Sequence, residues 1–346
     1  MSRDNYAFLS HHIGDMENYE TLCSFEDGIS HFERLFHIDP EAIAYDLHPN
    51  YLATQYAFER ASREEIPVVG VQHHHAHIAS CLAEHGFTGE GQVIGIAFDG
   101  TGYGDDGAIW GGEVLIADYV SYERLFHLGY VPLAGGDKAI REPWRVALAW
   151  AKQAGLEQSE FTGLNGNIDA ETAEIVSRQI ELGINAPLTS SMGRLFDAVA
   201  ALCGVRAEVN YEAQAAIELE GLADRQEQGM YPFEITKGVI DPTPLIRAVI
   251  EDVARDVDQS IISAKFHNSI AATVVEICGQ VRESTGLHQV VLSGGVWQNM
   301  LLLHKVVPLL REKGYEVFLH RKVPANDGGI ALGQLAVAHH RLGLTG

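Results

Sequence analysis

Apolar and polar positions change period several times along the chain, and those changes predict its elements. Ala42–Asp46 reads as a short strand ending at the His48-Pro49 turn, Tyr51–Arg63 as a helix, and Ile66–Val71 as the apolar run of a buried strand. From His74 to His85 apolar residues recur at helical spacing, and Gly86 stands where a helix would stop. Val93–Phe98, Ala108–Asp118 and Arg124–Val131 are β-rich and separated by glycine-dense turns, the pattern of an antiparallel meander. Helical periodicity returns over 138–155, around 170–182, and at 191–203, 210–222, 243–257 and 260–285, with polar connections across 156–188. The last third alternates strand His288–Leu292, helix 298–313, strand Tyr315–Leu319, loop 320–329 and helix Ile330–Arg341. That is the α/β patterning of a parallel, wound sheet. A glycine-rich strand-to-turn element occurs near 99–104 and again near 293–295, and this predicts a pseudo-duplicated, two-lobed fold with a ligand cleft between the lobes.

Composition narrows the classes of function. The 346 residues are 46% apolar and 21% charged, which excludes a disordered chain and suits about two domains. No apolar run approaches the ~18–20 residues of a membrane span, and no basic-then-apolar leader opens the sequence. The 47 acidic and 24 basic side chains leave a net charge of −23. Such a surface repels phosphate backbones and anionic membranes, so no nucleic-acid or membrane partner is expected. A small anion in a locally basic or glycine-lined pocket remains compatible. Cys23, Cys81, Cys203 and Cys278 stand far apart without a Cys-x-x-Cys pair, which fits a reducing cytoplasm rather than a disulfide framework or zinc knot.

Two enrichments carry the candidate chemistry. The 17 histidines include four within the run Gln72-His73-His74-His75-Ala76-His77. On a helix, His73 and His77 share a face and can present two imidazoles to one metal ion, while His74 and His75 point elsewhere. The bland alternative is a polar helix start. Two imidazoles are too few for an ion, so carboxylate or substrate oxygens from distant sequence are required as well. Glycine reaches 35 residues, and Asp99-Gly100-Thr101-Gly102-Tyr103-Gly104 follows an apolar strand. Its amides can turn towards an anion, or it is a plain hairpin turn; it is neither a Walker loop nor a Rossmann opening. Ser293-Gly294-Gly295 through Asn299 runs from strand into helix, where amides suit a phosphate. Asp327 precedes the last helix as an N-cap or a metal ligand. Asp197, beside Gly193, and Glu212 can accept ribose hydroxyls or be solvated helix residues. Lys138, Arg141 and Arg145 share a helical face at i, i+3 and i+7, as a charged surface or as the anchor of an anionic substrate.

Taken in order, VQHHHAHIAS (71–80), FDGTGYGDDGAIWGGE (98–113), SSMGRLFDA (190–198), LSGGVWQN (292–299) and NDGGIALGQ (326–334) resemble the carbamoyltransferase domain of HypF, the nickel–iron hydrogenase maturation factor. The resemblance covers essentially the whole chain, including AYDLHPNYLAT (44–54). It implies an α/β, two-lobed actin/Hsp70/sugar-kinase-like (ASKHA) fold with a nucleotide and metal cleft. On that plan residues 1–66 are an N-terminal extension packing on the first lobe, 67–188 the first lobe and 189–346 the second. It also implies His73, His77 and Asp327 as metal ligands, with Asp99 a fourth ligand or a phosphate-side contributor. Gly100, Thr101, Gly102, Gly104, Gly294 and Gly295 would hold phosphates, and Gly193, Asp197, Glu212 and Asn299 the nucleoside. Lys138, Arg141 and Arg145 are the candidate catalytic cations. The implied cofactors are ATP or carbamoyl-adenylate, one iron or zinc ion, and magnesium as a companion of the nucleotide.

The family reaction makes carbamoyl-adenylate from carbamoyl phosphate and ATP, then moves the carbamoyl group to the C-terminal cysteine of HypE. Whole HypF proteins also carry an acylphosphatase-like domain, Cys₄ zinc fingers and an adenylate-forming YrdC-like domain ahead of this region. With no Cys-x-x-Cys present, the chain is expected to match the C-terminal part, using supplied carbamoyl-adenylate without making it. Threonylcarbamoyl transferases acting on tRNA and antibiotic O-carbamoyltransferases are similar in architecture, and the first of these fits poorly with the −23 charge. A nucleotide-gated binding module without chemistry is the reading from another class. A zincin peptidase fails, because that signature needs Glu directly after the first histidine and position 74 is His.

Overall fold

In the computed structural model, which describes residues 1–14, 16, 18–88, 91–157, 159–161 and 168–343, the chain begins with the hairpin β1 (Ser2–Arg3) and β2 (Tyr6–Ala7). Helix α1 (Tyr19–Phe36) follows, then β3 (Ile43–Asp46), α2 (Leu52–Glu64), β4 (Val68–Val71) and α3 (His73–Glu84). Strands β3 and β4 pair in parallel, with Asp46 opposite Val71. This register sets Asp46 beside the start of α3.

The meander comes next: β5 (Val93–Tyr103), β6 (Ile109–Ala117) and β7 (Tyr122–Leu128), then β8 (Val131–Pro132). Helices α4 (Asp137–Arg141), α5 (Trp144–Gln153) and α6 (Ala170–Leu182) lead to β9 (Leu188–Thr189). The chain continues through α7 (Met192–Leu202), α8 (Gln214–Leu222), β10 (Glu234–Thr236), β11 (Val239–Asp241), α9 (Thr243–Ala254) and α10 (Gln259–Thr285). It closes with β12 (Gln289–Ser293), α11 (Met300–Glu312), β13 (Glu316–Leu319) and α12 (Ile330–Leu342).

Among the described residues nine strands form one mixed sheet, ordered β10-β11-β7-β6-β5-β12-β13, with β9 beside β6 and β8 beside β9. The three meander strands are antiparallel, whereas β12 runs parallel to both β5 and β13. One sheet therefore takes strands from both segments that the sequence separates at residue 189. A large apolar core unites this sheet with α5, α7, α9 and α10, and a second core joins α3, β5, β6, β12 and α12. Helix α3 is thus walled in: residues 73–82 are all buried.

Four expectations need correcting. Helix α1 lies where no helix is expected; Asn18 caps it by accepting from the Thr21 amide. Its aromatic side packs Phe36 on Phe8, and its Glu33 meets Arg60 at 2.6 Å. The helix expected over 138–155 breaks at Glu142-Pro143, because proline disfavours helical geometry in the residue before it. Lys138, Arg141 and Arg145 consequently do not share one helical face. Strand β5 does not end at Phe98 but continues through the glycine run to Tyr103, with a register shift between Phe98 and Gly102. Finally, Asn326, not Asp327, caps the final turn, its side chain accepting from the Gly328 amide. Part of the polar stretch 156–188 lies outside the described residues.

Candidate metal centre

His73 and His77 face the same way from the first turns of α3, as their spacing requires. Asp99, on the extended β5, reaches the same point with Oδ2 at 2.9 Å from His77 Nε2 and 3.3 Å from His73 Nε2. Asp327 Oδ1 lies 3.3 Å from His77 Nε2 and 3.5 Å from His73 Nε2. One donor atom from each of these four residues lies within 4.8 Å of all the others. Two imidazoles and two carboxylates at that separation match the needs of a borderline divalent ion, and the set suits iron and zinc alike.

The electrostatics agree with a place for a cation. Burial alone would strip His73 of its proton, yet Asp327, Asp46 and Asp99 hold its pKa well above the ordinary value. His77 is pulled down by burial and pushed up more strongly by Asp99 and Asp327. Burial would raise Asp99, but His77 and His73 keep its carboxyl well below the usual range. Without an ion, imidazole protons compensate the carboxylates. The other two histidines differ: burial, and then the neighbouring His73, pull His74 well below the ordinary value, and burial lowers His75 to about 4. His75 donates to the Asp118 carbonyl and is a packing residue.

Asp46 is one of two residues that sequence reasoning missed. Its Oδ2 accepts from His73 Nδ1 at 2.9 Å, which leaves Nε2 for the centre. Outer carboxylates of this kind fix the ring and strengthen it as a ligand. Asp46→Asn is therefore expected to weaken zinc or iron binding about 10- to 100-fold with the fold intact, as measured by competition against a chromophoric chelator.

Asp99 also ties the centre to both glycine segments. Its Oδ1 accepts from the amides of Gly100 at 2.8 Å and Gly295 at 3.0 Å. The Gly294 amide donates to Ala325 and the Gly104 amide to Ala108. Four of the amides expected to face an anion are therefore engaged inside the protein. Close approach explains the run better. A Cβ on Gly102 would lie 2.5 Å from the His74 ring and 2.6 Å from that of His73. Thr101 occupies the same stretch of β5.

Helix α7 abuts this strand. Gly193 packs against Gly100, and the Ser191 hydroxyl donates to the Gly100 carbonyl at 2.6 Å. Asp197 is buried and paired with Arg194 at 3.0 Å; burial pushes its carboxyl up against the pull of Arg194. It is thus no solvated helix residue. Arg194, a second residue missed, is buried with Nε and Nη1 unpartnered, and lies beside Gly100. Glu212 is exposed on the turn before α8, which starts at Gln214. Asn299 caps α11 by accepting from Leu302 and donates to His267. Of the three cations, Arg145 is buried and paired with Glu142, Lys138 is exposed and meets the same carboxylate at 3.3 Å, and Arg141 is exposed. Among the described residues, the ion pairs of Lys138 and Arg145 run to Glu142 rather than to the four-residue cluster.

Comparison with known proteins gives a consistent picture. Residues 95–334 match the family model "Carbamoyltransferase, Kae1-like Domain, second subdomain", and residues 1–84 match "HypF Kae1-like domain". Carbamoyltransferase HypF2 of Cupriavidus necator is 38% identical over 99% of this chain and 45% of its own length. A shorter "Carbamoyltransferase HypF homolog" of the same organism is 36% identical, covering 94% of this chain and 84% of its own. The crystal structure of a full-length HypF in its phosphate- and nucleotide-bound form superposes with a TM-score of 0.90 at 44% identity, over 96% of this chain and 52% of that one. The chain thus spans about half the length of the full-length relatives it matches.

Proposed function

The chain belongs to the HypF Kae1-like carbamoyltransferase domain family, and from that premise we propose that it moves the carbamoyl group of carbamoyl-adenylate to the C-terminal cysteine thiol of HypE, a step towards the cyanide ligands of the nickel–iron centre. The observation that carries the reading is Asp99, which reaches the His73/His77/Asp327 cluster with one oxygen and the amides of Gly100 and Gly295 with the other. When bound at the cluster, iron or zinc supplies Lewis acidity to the mixed-anhydride oxygens.

The remaining roles fall to the chain's own side chains. Arg194, whose Nη2 lies beside Gly100 and pairs with Asp197 and whose Nε and Nη1 are buried and unpartnered, suits an anionic phosphoryl group, with magnesium as a companion of the nucleotide. Gly193 keeps α7 close to that strand, and Asp197, Glu212 and Asn299 are assigned to the nucleoside side. The acceptor sulfur must attack as thiolate. Burial pushes the thiols of Cys203 and Cys278 up to about 12 and raises Cys81 as well, so these three are poor nucleophiles; Cys23 lies on α1, outside the segments that build the site, and the attacking thiol is assigned to another molecule. Carbamoyl phosphate and ATP would feed the adenylate-forming YrdC-like part of a HypF-type protein, in the cytoplasm. The two-lobed actin/Hsp70/sugar-kinase-like arrangement, with its cleft and its three-segment division, belongs to the same reading. The net charge of −23 favours a protein acceptor over tRNA. Among the described residues no helix is long and apolar enough to cross a membrane.

The test supplies synthetic carbamoyl-adenylate to the metal-loaded chain with a peptide ending in cysteine. Mass spectrometry is expected to find the peptide heavier by one carbamoyl group, and a serine-ended peptide unchanged. Hydrolysis of the adenylate without transfer to either peptide would contradict the proposal.

A further inference from the structure

Three of the four cluster residues are buried, but the Asp327 side chain is 65% exposed, so core packing does not hold it. What fixes its position is found on α3. Ser80 and Glu84 continue the stripe begun by His73 and His77: steps of four, three and four residues stay on one helical face. The Glu84 side chain is 3% exposed, and its carboxylate accepts from the backbone amides of Arg321 at 2.7 Å and of Lys322 and Val323 at 3.1 Å each. The Ser80 hydroxyl donates to the Gly329 carbonyl at 2.7 Å. These bonds grip the backbone on both sides of Asp327.

We propose that Glu84 and Ser80 are positioning residues for the metal centre, bracketing the 321–329 segment so that the helix carrying His73 and His77 also sets where Asp327 stands. The inference rests on the metal reading above. It explains why a carboxylate is buried at the far end of α3: three amides in succession need one acceptor, and a charged acceptor binds them most strongly. It also ties three of the four donors to one rigid helix, with Asp99 supplied by the adjoining strand β5.

A thermodynamic cycle tests this with zinc alone as the probe. Zinc affinity is measured by chelator competition for the unaltered chain, Glu84→Gln, Asp327→Ala and the double variant; cobalt absorption spectra of the same four report the ligand set. Glu84→Gln turns one acceptor into a donor facing amides, and is expected to weaken zinc binding about 10- to 100-fold. In the Asp327→Ala background the same change should have almost no effect, because Glu84 acts through Asp327. The cobalt spectrum of Glu84→Gln should move towards that of Asp327→Ala. Full additivity of the two changes, or unchanged affinity in Glu84→Gln, would overturn the inference while leaving the metal centre standing. A chain that takes up no zinc, or takes it up equally after His73→Ala, would overturn both. If Glu84→Gln does not fold, Ser80→Ala enters the same cycle, with a smaller loss and the same criterion.

Discussion

Replacing His73 and His77 together by alanine is expected to empty the centre of metal and to lower carbamoyl transfer about 1,000-fold or more, the several kcal/mol that Lewis-acid stabilisation supplies. Both nitrogen donors of the cluster come from these two rings. Their loss leaves Asp99 and Asp327 facing each other as like charges, a pair too weak to hold a borderline ion without nitrogen ligands. Metal content by elemental analysis should fall from about one ion per chain to near zero. Peptide carbamoylation followed by mass spectrometry gives the rate. Arg178→Ala and Arg255→Ala serve as controls, since both side chains are exposed and lie outside the segments that build the site. Both should keep transfer within a few-fold of the unaltered chain. A double-histidine variant that still transfers at the original rate would remove the metal from the mechanism.

The second large effect is structural, and its sign is unusual. Alanine for glycine inside a helix normally stabilises by about 1 kcal/mol. In α12, a Cβ on Gly333 would stand 1.8 Å from the Ala76 carbonyl oxygen and 2.8 Å from the Ser80 amide nitrogen. Those are backbone atoms of α3, which cannot rotate aside. The two helices would have to part along the segment that carries His73 and His77, and overpacking of this kind costs up to about 3 kcal/mol. Gly333→Ala should therefore lower the urea midpoint and weaken zinc binding together. A stabilised variant would show that α12 does not press on the metal helix.

These two sites differ in how far the sequence alone reveals them. The His73/His77 pair is legible because helical spacing is local. Asp99 and Asp327 come from the sheet and from the loop after β13, and no helical spacing rule reaches from α3 into another element; the resemblance supplies them. Asp46 was readable only through the parallel register that sets it opposite Val71, two residues before His73. The glycine run is a different case. Its sequence suits either amides turned towards an anion or a hairpin turn, but the strand continues through it, and Gly102 serves the approach of the His73 and His74 rings. The break at Pro143 follows from proline's own geometry and could have been placed in advance. The i, i+3, i+7 spacing of Leu22, Phe25 and Ile29 likewise announces α1, whose apolar side is diluted by a strongly acidic segment.

The central claim is that one ion sits among His73, His77, Asp99 and Asp327, next to the Gly100 strand where the adenylate is handled. A crystal soaked with carbamoyl-adenylate and measured at the iron and zinc absorption edges tests it most directly. The account predicts one anomalous peak within bonding distance of His73 Nε2, His77 Nε2 and both carboxylates, with the phosphoryl group of the ligand beside it. An anomalous peak elsewhere in the molecule, or an adenylate bound far from these four residues, would contradict it.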